Sequence, residues 1–181
     1  MRILITGGAG FIASNLTERI LSEGHKIISI DNFLLGRREY LKPFEGNDNF
    51  EFREIDLLNF EAITPSFTGV DLVFHLSANS DISQGAKDTS RDMCLGTKVT
   101  YNVLEAMRLN GVKNIVFAST SAVYGMANYF PTKEDYGPLL PISLYGASKI
   151  ACEGLITAFC HNFAMKAWIF RFANVIGRNQ T

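Results

Sequence analysis

The sequence predicts an α/β fold in which a doubly wound parallel sheet carries helices on both faces. Short apolar segments of strand length alternate with helical segments along the 181 residues, which is the pattern of repeated strand–helix–strand units. The first strand leads directly into a glycine-rich turn and a helix. The composition, with 47% hydrophobic and 19% charged residues, is that of one globular domain. Connections in such sheets favour the strand order 3-2-1-4-5-6.

The first strand, the turn and the start of the helix lie in residues 3–16, which read ILITGGAGFIASNL, and the helix is expected to run to about Glu23. Gly7 can adopt dihedrals that other residues avoid, Gly10 permits close approach of a ligand, and Ala13 is the third small residue. The N-terminus of a helix carries unpaired N–H groups and partial positive charge, which favour bound phosphate. The spacing Gly7-x-x-Gly10-x-x-Ala13 therefore fits a dinucleotide site, although a purely structural glycine turn looks the same.

The second predicted strand covers residues 26–30 and ends at Asp31, about twenty residues beyond the glycine turn, as a dinucleotide site requires. A carboxylate here can accept hydrogen bonds from both ribose hydroxyls of an adenine nucleotide. It would repel a 2′-phosphate, so NAD is favoured over NADP. Alternatively, Asp31 caps a turn with Asn32. Arg37 or Arg38 could also partly offset the repulsion of the 2′-phosphate of NADP.

The remaining predicted elements continue the alternation. They are a short helix at 37–41, strands at 50–55 and 71–75, a long helix from about 89 to 110, a strand at 113–118, a second long helix at 144–163 and a strand at 166–171. Small residues after the fourth strand leave space for a ligand across the carboxyl edge of the sheet. His75, at the end of that strand, is expected to be a satisfied core histidine rather than a base.

The first long helix has an apolar stripe of Met93, Thr97, Thr100, Leu104 and Met107. This spacing predicts a core-facing side, although a long apolar face can also pair two subunits.

Charge and cysteine usage limit the possible partners. The net charge of −1 and the lack of a long basic run argue against nucleic acid and anionic membranes. Glycines interrupt the N-terminal apolar run and no segment reaches about 18 apolar residues, so we expect neither export nor a membrane span, and a cytoplasmic location. Cys94, Cys152 and Cys160 lack metal-ligand spacing, and Cys160 and His161 face different sides of a helix, which predicts reduced core thiols and no metal.

Tyr145 and Lys149 form a predicted catalytic pair. They lie four residues apart at the start of the second long helix and so share one face. A tyrosine with a pKa of roughly 10 is a poor base, but a fixed ammonium and an oxidised nicotinamide would both favour the phenolate. Thr120, in the serine-threonine segment after the fifth strand, is placed to hydrogen-bond the reacting oxygen. Alternatively, the Tyr145–Lys149 spacing occurs by chance and the serine-threonine segment is only a turn. The placement of both after the correct strands, together with the glycine turn and Asp31, favours catalysis.

Eight motifs carry a family resemblance. They are TGGAGFIASNL at Thr6, DN at Asp31, DL at Asp56, HLSA at His75, GTKVTYNVLEAM at Gly96, STSAVYG at Ser119, SLYGASK at Ser143 and RFANVIG at Arg171. Over essentially all 181 residues the chain resembles the extended short-chain dehydrogenases/reductases of the NAD-dependent sugar epimerase/dehydratase family, most closely UDP-glucose (UDP-galactose) 4-epimerases.

The resemblance implies a Rossmann fold, NAD as the cofactor and a defined set of site residues. The cofactor residues are Gly7, Gly10, Phe11 and Ile12 at the pyrophosphate, Asp31 with Asn32 at the ribose, Asp56 and Leu57 at the adenine, Leu76, Ser77 and Ala78 beside the nicotinamide, and Tyr145 and Lys149. The catalytic residues are Thr120, Tyr145 and Lys149. The substrate residues are Thr120, Ser121, Tyr145 and Asn174, with a UDP-hexose as the expected substrate and a homodimer formed through the two long helices.

Within the family, the residues after Thr120 favour an epimerase. Dehydratases and decarboxylases carry an acid in this segment, whereas this chain has Ser121 and Ala122. The resemblance then implies transient oxidation at C4, rotation of the 4-keto sugar and return of the hydride. A non-catalytic NAD-binding module and a nucleotide-sugar dehydratase or reductase are the alternatives.

Two features depart from the family pattern. Met93 stands where the family usually has an asparagine near the coenzyme. The sequence given ends at Thr181, after the sixth strand, so we expect the C-terminal substrate-binding segment to lie outside it and this chain alone to have weak activity or none.

Overall fold

A computed structural model describes residues 1–79 and 81–180, so Thr181 lies outside the described residues. Six parallel strands form one sheet in the order β3-β2-β1-β4-β5-β6, which confirms the predicted topology. The strands are β1 (Arg2–Thr6), β2 (Lys26–Asp31), β3 (Phe50–Glu54), β4 (Leu72–His75), β5 (Asn114–Thr120) and β6 (Lys166–Phe172). All five strand pairs are parallel, so the carboxyl ends of the strands meet at one edge.

The helices differ from the prediction mainly in the short elements. They are α1 (Phe11–Ser22), α2 (Phe60–Ile63), α3 (Ile82–Lys87), α4 (Val99–Leu109) and α5 (Leu144–Phe163), the last with the predicted bounds. The predicted short helix at 37–41 is instead a pair of 3₁₀ turns, Arg38–Tyr40 and Lys42–Phe44. Sequence periodicity missed α2 and α3 because four to six residues are too few to show a helical repeat.

The core lies on both faces of the sheet. On one face, α1 buries Ala13 and Ile20 against Ile3, Ile5 and Ile27 of β1 and β2. On the other face, α4 and α5 pack over β4 and β5, and this cluster is larger. Its fully buried members include Val103, Leu104, Met107, Ile115, Phe117 and Ile156.

A π-helical turn, Met93–Lys98, precedes α4 and alters the predicted apolar stripe. Thr100, Leu104 and Met107 are buried as expected, but Met93 is 67% exposed. A π turn contains more residues per turn than an α-helix, so residues before it rotate away from the face that continues the stripe. The same turn explains why Cys94 is exposed, contrary to the expected core thiol, whereas Cys152 is buried and Cys160 is partly buried.

His75 is a core residue, as expected. It is fully buried at the end of β4, where its Nδ1 is hydrogen-bonded with Thr6 Oγ1 at 2.6 Å and its Nε2 with Thr100 Oγ1 at 2.9 Å. These contacts join β1, β4 and α4. Burial, with a smaller contribution from the charge of Lys149, lowers the pKa of His75 to about 3. The imidazole is therefore neutral in the folded protein at physiological pH.

Two further findings concern the described residues as a whole. No helix among them is long and apolar enough to cross a membrane. Within residues 1–79 and 81–180, no cluster of three or more histidine, cysteine, aspartate or glutamate side chains could hold a metal ion.

We expect His75 to make stability depend on pH. Because its pKa is lower in the folded than in the unfolded state, unfolding takes up a proton between pH 6.5 and about 3, and stability falls as pH falls through that window. The slope from this single group approaches about 1.4 kcal/mol per pH unit. Urea unfolding at several pH values should give a shallower slope for His75→Gln than for wild type. The exposed-site control His161→Gln should keep the wild-type slope; equal slopes in His75→Gln and wild type would contradict this assignment.

Candidate functional site

A cleft of about 260 Å³ opens at the carboxyl edge of the sheet, where β1, β2 and β4 end. This is the place where doubly wound sheets bind ligands. The cleft is lined by Gly7, Gly10, Phe11, Ile12, Ala13, Asp31, Asn32, Leu34, Leu35, Gly36, Arg37, Tyr40, Ile55, Asp56, Leu57, Leu76, Ser77, Ala78, Leu95, Val99 and Asn179. Every residue predicted to contact the cofactor lies on it except Tyr145 and Lys149.

The glycine turn between β1 and α1 brings backbone close to this cleft. Gly7 has a φ of +69°, and a Cβ at this position would lie 2.8 Å from the backbone of Ser77. Gly10 N–H donates to Gly7 O at 3.0 Å, and a Cβ on Gly10 would lie 3.0 Å from that oxygen. The first turn of α1 carries no acidic side chain. Its N-terminus therefore presents close backbone and positive partial charge to the cleft, which fits a pyrophosphate.

Asp31 connects the end of β2 to the glycine turn. Its Oδ2 accepts a hydrogen bond from Ala9 N at 3.0 Å, and its Oδ1 accepts one from Phe33 N at 2.7 Å. Burial raises the pKa of Asp31, while the backbone hydrogen bonds from Phe33, Ala9 and Asn32 act in the opposite direction. The turn-capping alternative is therefore present in the structure. Because Asp31 also lines the cleft, its remaining lone pairs can face a ribose.

The loop after Asp31 supplies cleft residues that sequence reasoning did not assign. Leu34, Leu35 and Gly36 line the cleft with Arg37 and Tyr40. A Cβ on Gly36 would lie 2.8 Å from Asp31 Oδ1, so this glycine lets the loop pack against the carboxylate. Their position directly after a ribose-binding candidate was an available signal. Asn179 had no comparable signal, because it reaches the cleft only through the tertiary fold.

The three predicted catalytic residues come together at the carboxyl end of β5. Thr120 is the last residue of β5, two residues beyond the predicted strand end, and its Oγ1 accepts from Ala122 N at 3.1 Å. Tyr145 and Lys149 project from the first turns of α5, which Ser143 caps by accepting from Gly146 N at 3.0 Å. Thr120 lies close enough to Tyr145 for its hydroxyl to lower the pKa of the phenol.

Protein groups alone raise the pKa of Tyr145, contrary to the expected lowering by Lys149. Burial is the largest cause, and the negative charge of Asp92 adds to it, while the Thr120 hydrogen bond lowers the pKa in part. Lys149 Nζ is 5.9 Å from the Tyr145 ring centroid but donates to Ala118 O at 2.6 Å. The ammonium is thus directed at the backbone of β5, and the protein by itself keeps the phenol protonated at neutral pH.

Lys149 is almost fully buried, with 2% exposure, and burial lowers its pKa to about 8. The charges of Cys152 and Glu153 act against this lowering. Glu153 accepts from Ser119 Oγ at 2.5 Å and pairs with Arg171 Nη2 at 2.8 Å. The Glu153–Arg171 pair therefore fixes β5 and β6 against α5 beside the catalytic group.

The predicted substrate residues outside this group lie on the surface. Ser121 is exposed at the start of the 3₁₀ turn Ser121–Tyr124. Asn174 is exposed two residues beyond the end of β6. Both lie at the carboxyl edge of the sheet, but neither lines the cleft described above.

Comparison with known proteins identifies relatives of the whole described fold. Residues 3–181 match the family model described as NAD dependent epimerase/dehydratase family. A UDP-glucose 4-epimerase from Mycolicibacterium smegmatis is 34% identical, with 99% of this chain and 58% of that protein covered. A UDP-glucose 4-epimerase from Thermotoga maritima, solved with UDP-glucose, superimposes with a TM-score of 0.92 at 33% identity, covering 100% of this chain and 58% of that one.

A dehydratase is equally similar in fold. A dTDP-glucose 4,6-dehydratase double mutant from Streptomyces venezuelae, with NAD bound, gives a TM-score of 0.94 at 28% identity, covering 99% of this chain and 58% of that one. Fold similarity therefore does not separate these activities. The chain spans a little over half the length of these relatives.

We expect Tyr145 to titrate above its usual pKa of roughly 10 in the isolated protein. Replacing Thr120 by Val should raise this pKa further, because the hydroxyl that stabilises the phenolate is lost. Carbon-13 NMR of tyrosine labelled at Cζ measures the titration, with Tyr145→Phe assigning the resonance and Ser121→Ala as the neighbouring-hydroxyl control. A Tyr145 titration unchanged by Thr120→Val would refute this contact.

Proposed function

We propose that this chain, which belongs to the NAD dependent epimerase/dehydratase family, is the coenzyme-binding part of a nucleotide-sugar 4-epimerase of the UDP-glucose/UDP-galactose type. The observation that carries the proposal is the meeting of Thr120, Tyr145 and Lys149 at the same sheet edge as the cleft lined by the glycine turn and Asp31. An acid-base group beside a coenzyme cleft is the arrangement that oxidation and reduction of an alcohol require.

The cleft residues fit NAD. The glycine turn and the N-terminus of α1 would hold the pyrophosphate, and Asp31 with Asn32 would hold the ribose. Asp56 and Leu57 would contact the adenine, and Leu76, Ser77 and Ala78 would lie beside the nicotinamide. When bound in its oxidised form, NAD supplies a hydride acceptor and a positive charge near the reacting alcohol.

The chain's own residues would move and hold the proton. Tyr145 Oη takes the proton of the sugar's 4-hydroxyl and returns it when the carbonyl is reduced. Thr120, whose hydroxyl lowers the pKa of the phenol, would hydrogen-bond the reacting oxygen beside Tyr145. Lys149, fixed by its bond to Ala118 O, provides a buried positive charge near Tyr145. Because burial raises its pKa, Tyr145 is suited to donating the proton when the carbonyl is reduced. To accept the proton from the alcohol, Tyr145 needs its phenolate to be stabilised by the positive charge of oxidised NAD.

The segment after Thr120 supports epimerisation over elimination or decarboxylation. Ser121 and Ala122 supply no carboxylate for added proton chemistry. Asp92 acts on Tyr145 by charge, but it is only 2% exposed and accepts from Asn79 Nδ2 at 2.9 Å. Its Oδ2 has no hydrogen-bond partner but lies against Gly85 of α3. A carboxylate buried in this way is poorly placed to meet a sugar. The non-catalytic NAD-binding module is the second candidate, and the intact Thr120–Tyr145 contact argues against it.

Recognition of the nucleotide sugar needs more than the described residues. Asn174 and Ser121 are exposed at the sheet edge, where they would contact the substrate. Since the chain spans 58% of the relatives' length, we propose that the other contacts to the sugar nucleotide come from a C-terminal segment, as the remaining length of the relatives allows.

We also propose a homodimer through α4 and α5. Ala147, Ala151 and Ala158 are exposed along one face of α5, and Tyr101 and Leu109 of α4 are 40% and 53% exposed. Small residues on a long helix allow two helices to approach closely.

The dimer proposal predicts that a charge on this face dissociates the protein. Ala151→Glu should give a monomer by sedimentation equilibrium, because the carboxylate would be buried between helices. The control Ser22→Glu, in the last turn of α1 on the other face of the sheet, should leave the dimer intact. A monomeric wild-type chain would contradict the proposal.

The enzyme proposal predicts retained coenzyme and interconversion of UDP-glucose and UDP-galactose. The purified 181-residue chain should carry NAD, detected by absorbance after denaturation, and Asp31→Ala should carry much less because it loses the ribose acceptor. Interconversion is measured in this chain and in a form extended past residue 181 to the relatives' length. Tyr145→Phe should abolish turnover while NAD content stays the same, since only the proton-carrying oxygen is lost.

The two measurements separate the candidates. NAD content without interconversion in the extended form would favour the binding module, and near-normal turnover by Tyr145→Phe would exclude Tyr145 as the proton carrier. Absence of NAD in both forms would contradict the proposed cofactor site.

A further inference from the structure

The four residues 177–180, here termed the strap, return from the end of β6 to the coenzyme cleft. Gln180 N–H donates to Gly177 O at 3.3 Å, which closes a tight turn, and Asn179 adopts a φ of +71° within it. Asparagine tolerates this left-handed conformation better than most residues. The turn directs Asn179 into the lining of the cleft.

The strap is attached to α1 by side chains on successive turns of that helix. Asn15 Nδ2 donates to Arg178 O at 2.7 Å, and Asn179 Nδ2 donates to Ser14 Oγ at 3.2 Å. Arg178 forms an ion pair with Glu18. These contacts join residues 160 to 165 positions apart in sequence.

The strap is also attached to the opposite wall of the cleft. Tyr40 Oη, in the 3₁₀ turn after β2, donates to Asn179 O at 3.0 Å. Phe11, the first residue of α1, lies under Gly177, where a Cβ would be 3.2 Å from its ring. Tyr40 and Phe11 both line the cleft. The strap therefore bridges the cleft from the helix that would hold the pyrophosphate to the loop that follows the ribose-binding Asp31.

The connection to the strap is short. The first strap contact is with α1, which follows β1, and β1 lies three strands from β6 in the sheet. At a spacing of about 4.8 Å per strand the distance is about 14 Å. Residues 173–177 extend at most about 17 Å. The segment must run nearly extended along the carboxyl end of the sheet, and Asn174 lies within it.

We infer that the strap controls the exchange of NAD by closing over the adenosine diphosphate half of the cleft. The inference rests on the proposed function, because it requires NAD in that cleft. For the coenzyme to leave, the strap must first separate from α1 and from Tyr40. The hydrogen bonds and the ion pair that hold the strap therefore set the residence time of the coenzyme, although they are not contacts with it. A retained coenzyme is what an epimerase needs, since the reaction returns NAD to its starting state.

Two strap contacts, made by Asn15, Glu18 and Arg178, allow a test that leaves the cleft lining intact, since none of these residues lines it. The variants are Asn15→Ala, Glu18→Gln and Arg178→Ala in the 181-residue chain. Arg19→Ala is the matched control, because it removes another exposed ion pair of α1, Arg19–Glu23. Bound NADH is displaced by excess NAD, and its fluorescence gives the release rate.

We expect Asn15→Ala to release NADH roughly three to ten times faster than wild type, as loss of the hydrogen bond to the strap at Arg178 O allows. The other bond of Asn15, to Phe11 O, lies within α1. The exposed ion pair should contribute less, up to about threefold. The Glu18→Gln/Arg178→Ala double variant should equal either single variant, because both break the same contact. Association of NADH should also be faster, since the strap opens for entry as well as exit.

Release and association rates equal to those of Arg19→Ala in all the strap variants would overturn the inference while leaving the proposed cofactor site in place. A wild-type chain that binds no NADH would contradict the proposed function and, with it, the strap. Thermal unfolding of each ligand-free variant checks the fold. Asn15→Ala tests one strap contact, and Glu18→Gln and Arg178→Ala test the other from its two sides.

Discussion

The buried carboxylate of Asp31 is the interaction on which the cleft depends. It holds the glycine turn through Ala9 N and its own loop through Phe33 N, so the ends of β1 and β2 are fixed relative to each other. Hydrogen bonds to a charged group contribute about 1.5–3 kcal/mol each and offset part of the cost of burying the carboxylate, whose pKa is still raised. Gly36 permits this packing because any Cβ there would meet Asp31. The same group thus shapes the cleft and presents acceptors to a ligand.

In the predicted catalytic residues, burial and charge act in opposite directions on the pKa values. Burial raises the pKa of Tyr145 and lowers that of Lys149, so each side chain is pushed toward its neutral form. Thr120 and the network of Glu153 with Arg171 and Ser119 act against this by hydrogen bonding and charge. Lys149, with a pKa of about 8, is therefore close to a change of protonation, whereas Tyr145 remains a phenol at neutral pH. A positively charged coenzyme would favour the phenolate of Tyr145.

Most of the fold could be predicted from the sequence, because strands and long helices carry strong periodic signals. All six strands, α1 and α5 were located within a few residues, and the strand order followed from connection rules. The errors occurred where local geometry breaks the period. The π turn at Met93–Lys98 moved Met93 and Cys94 to the surface, which an ideal helical repeat cannot anticipate. The helices α2 and α3 were too short to be seen.

The sequence by itself determined which residues gather at the carboxyl edge of the sheet. Parallel strands bring their ends together whatever the side-chain packing, so the glycine turn, Asp31 and Thr120 had to meet there. Only the tertiary structure decided which contacts these groups make. Lys149 donates to Ala118 O, burial raises the pKa of Tyr145, and Asn179, which follows β6 in sequence, lines the cleft. Burial and contacts between distant segments depend on the assembled fold, and no local pattern encodes them.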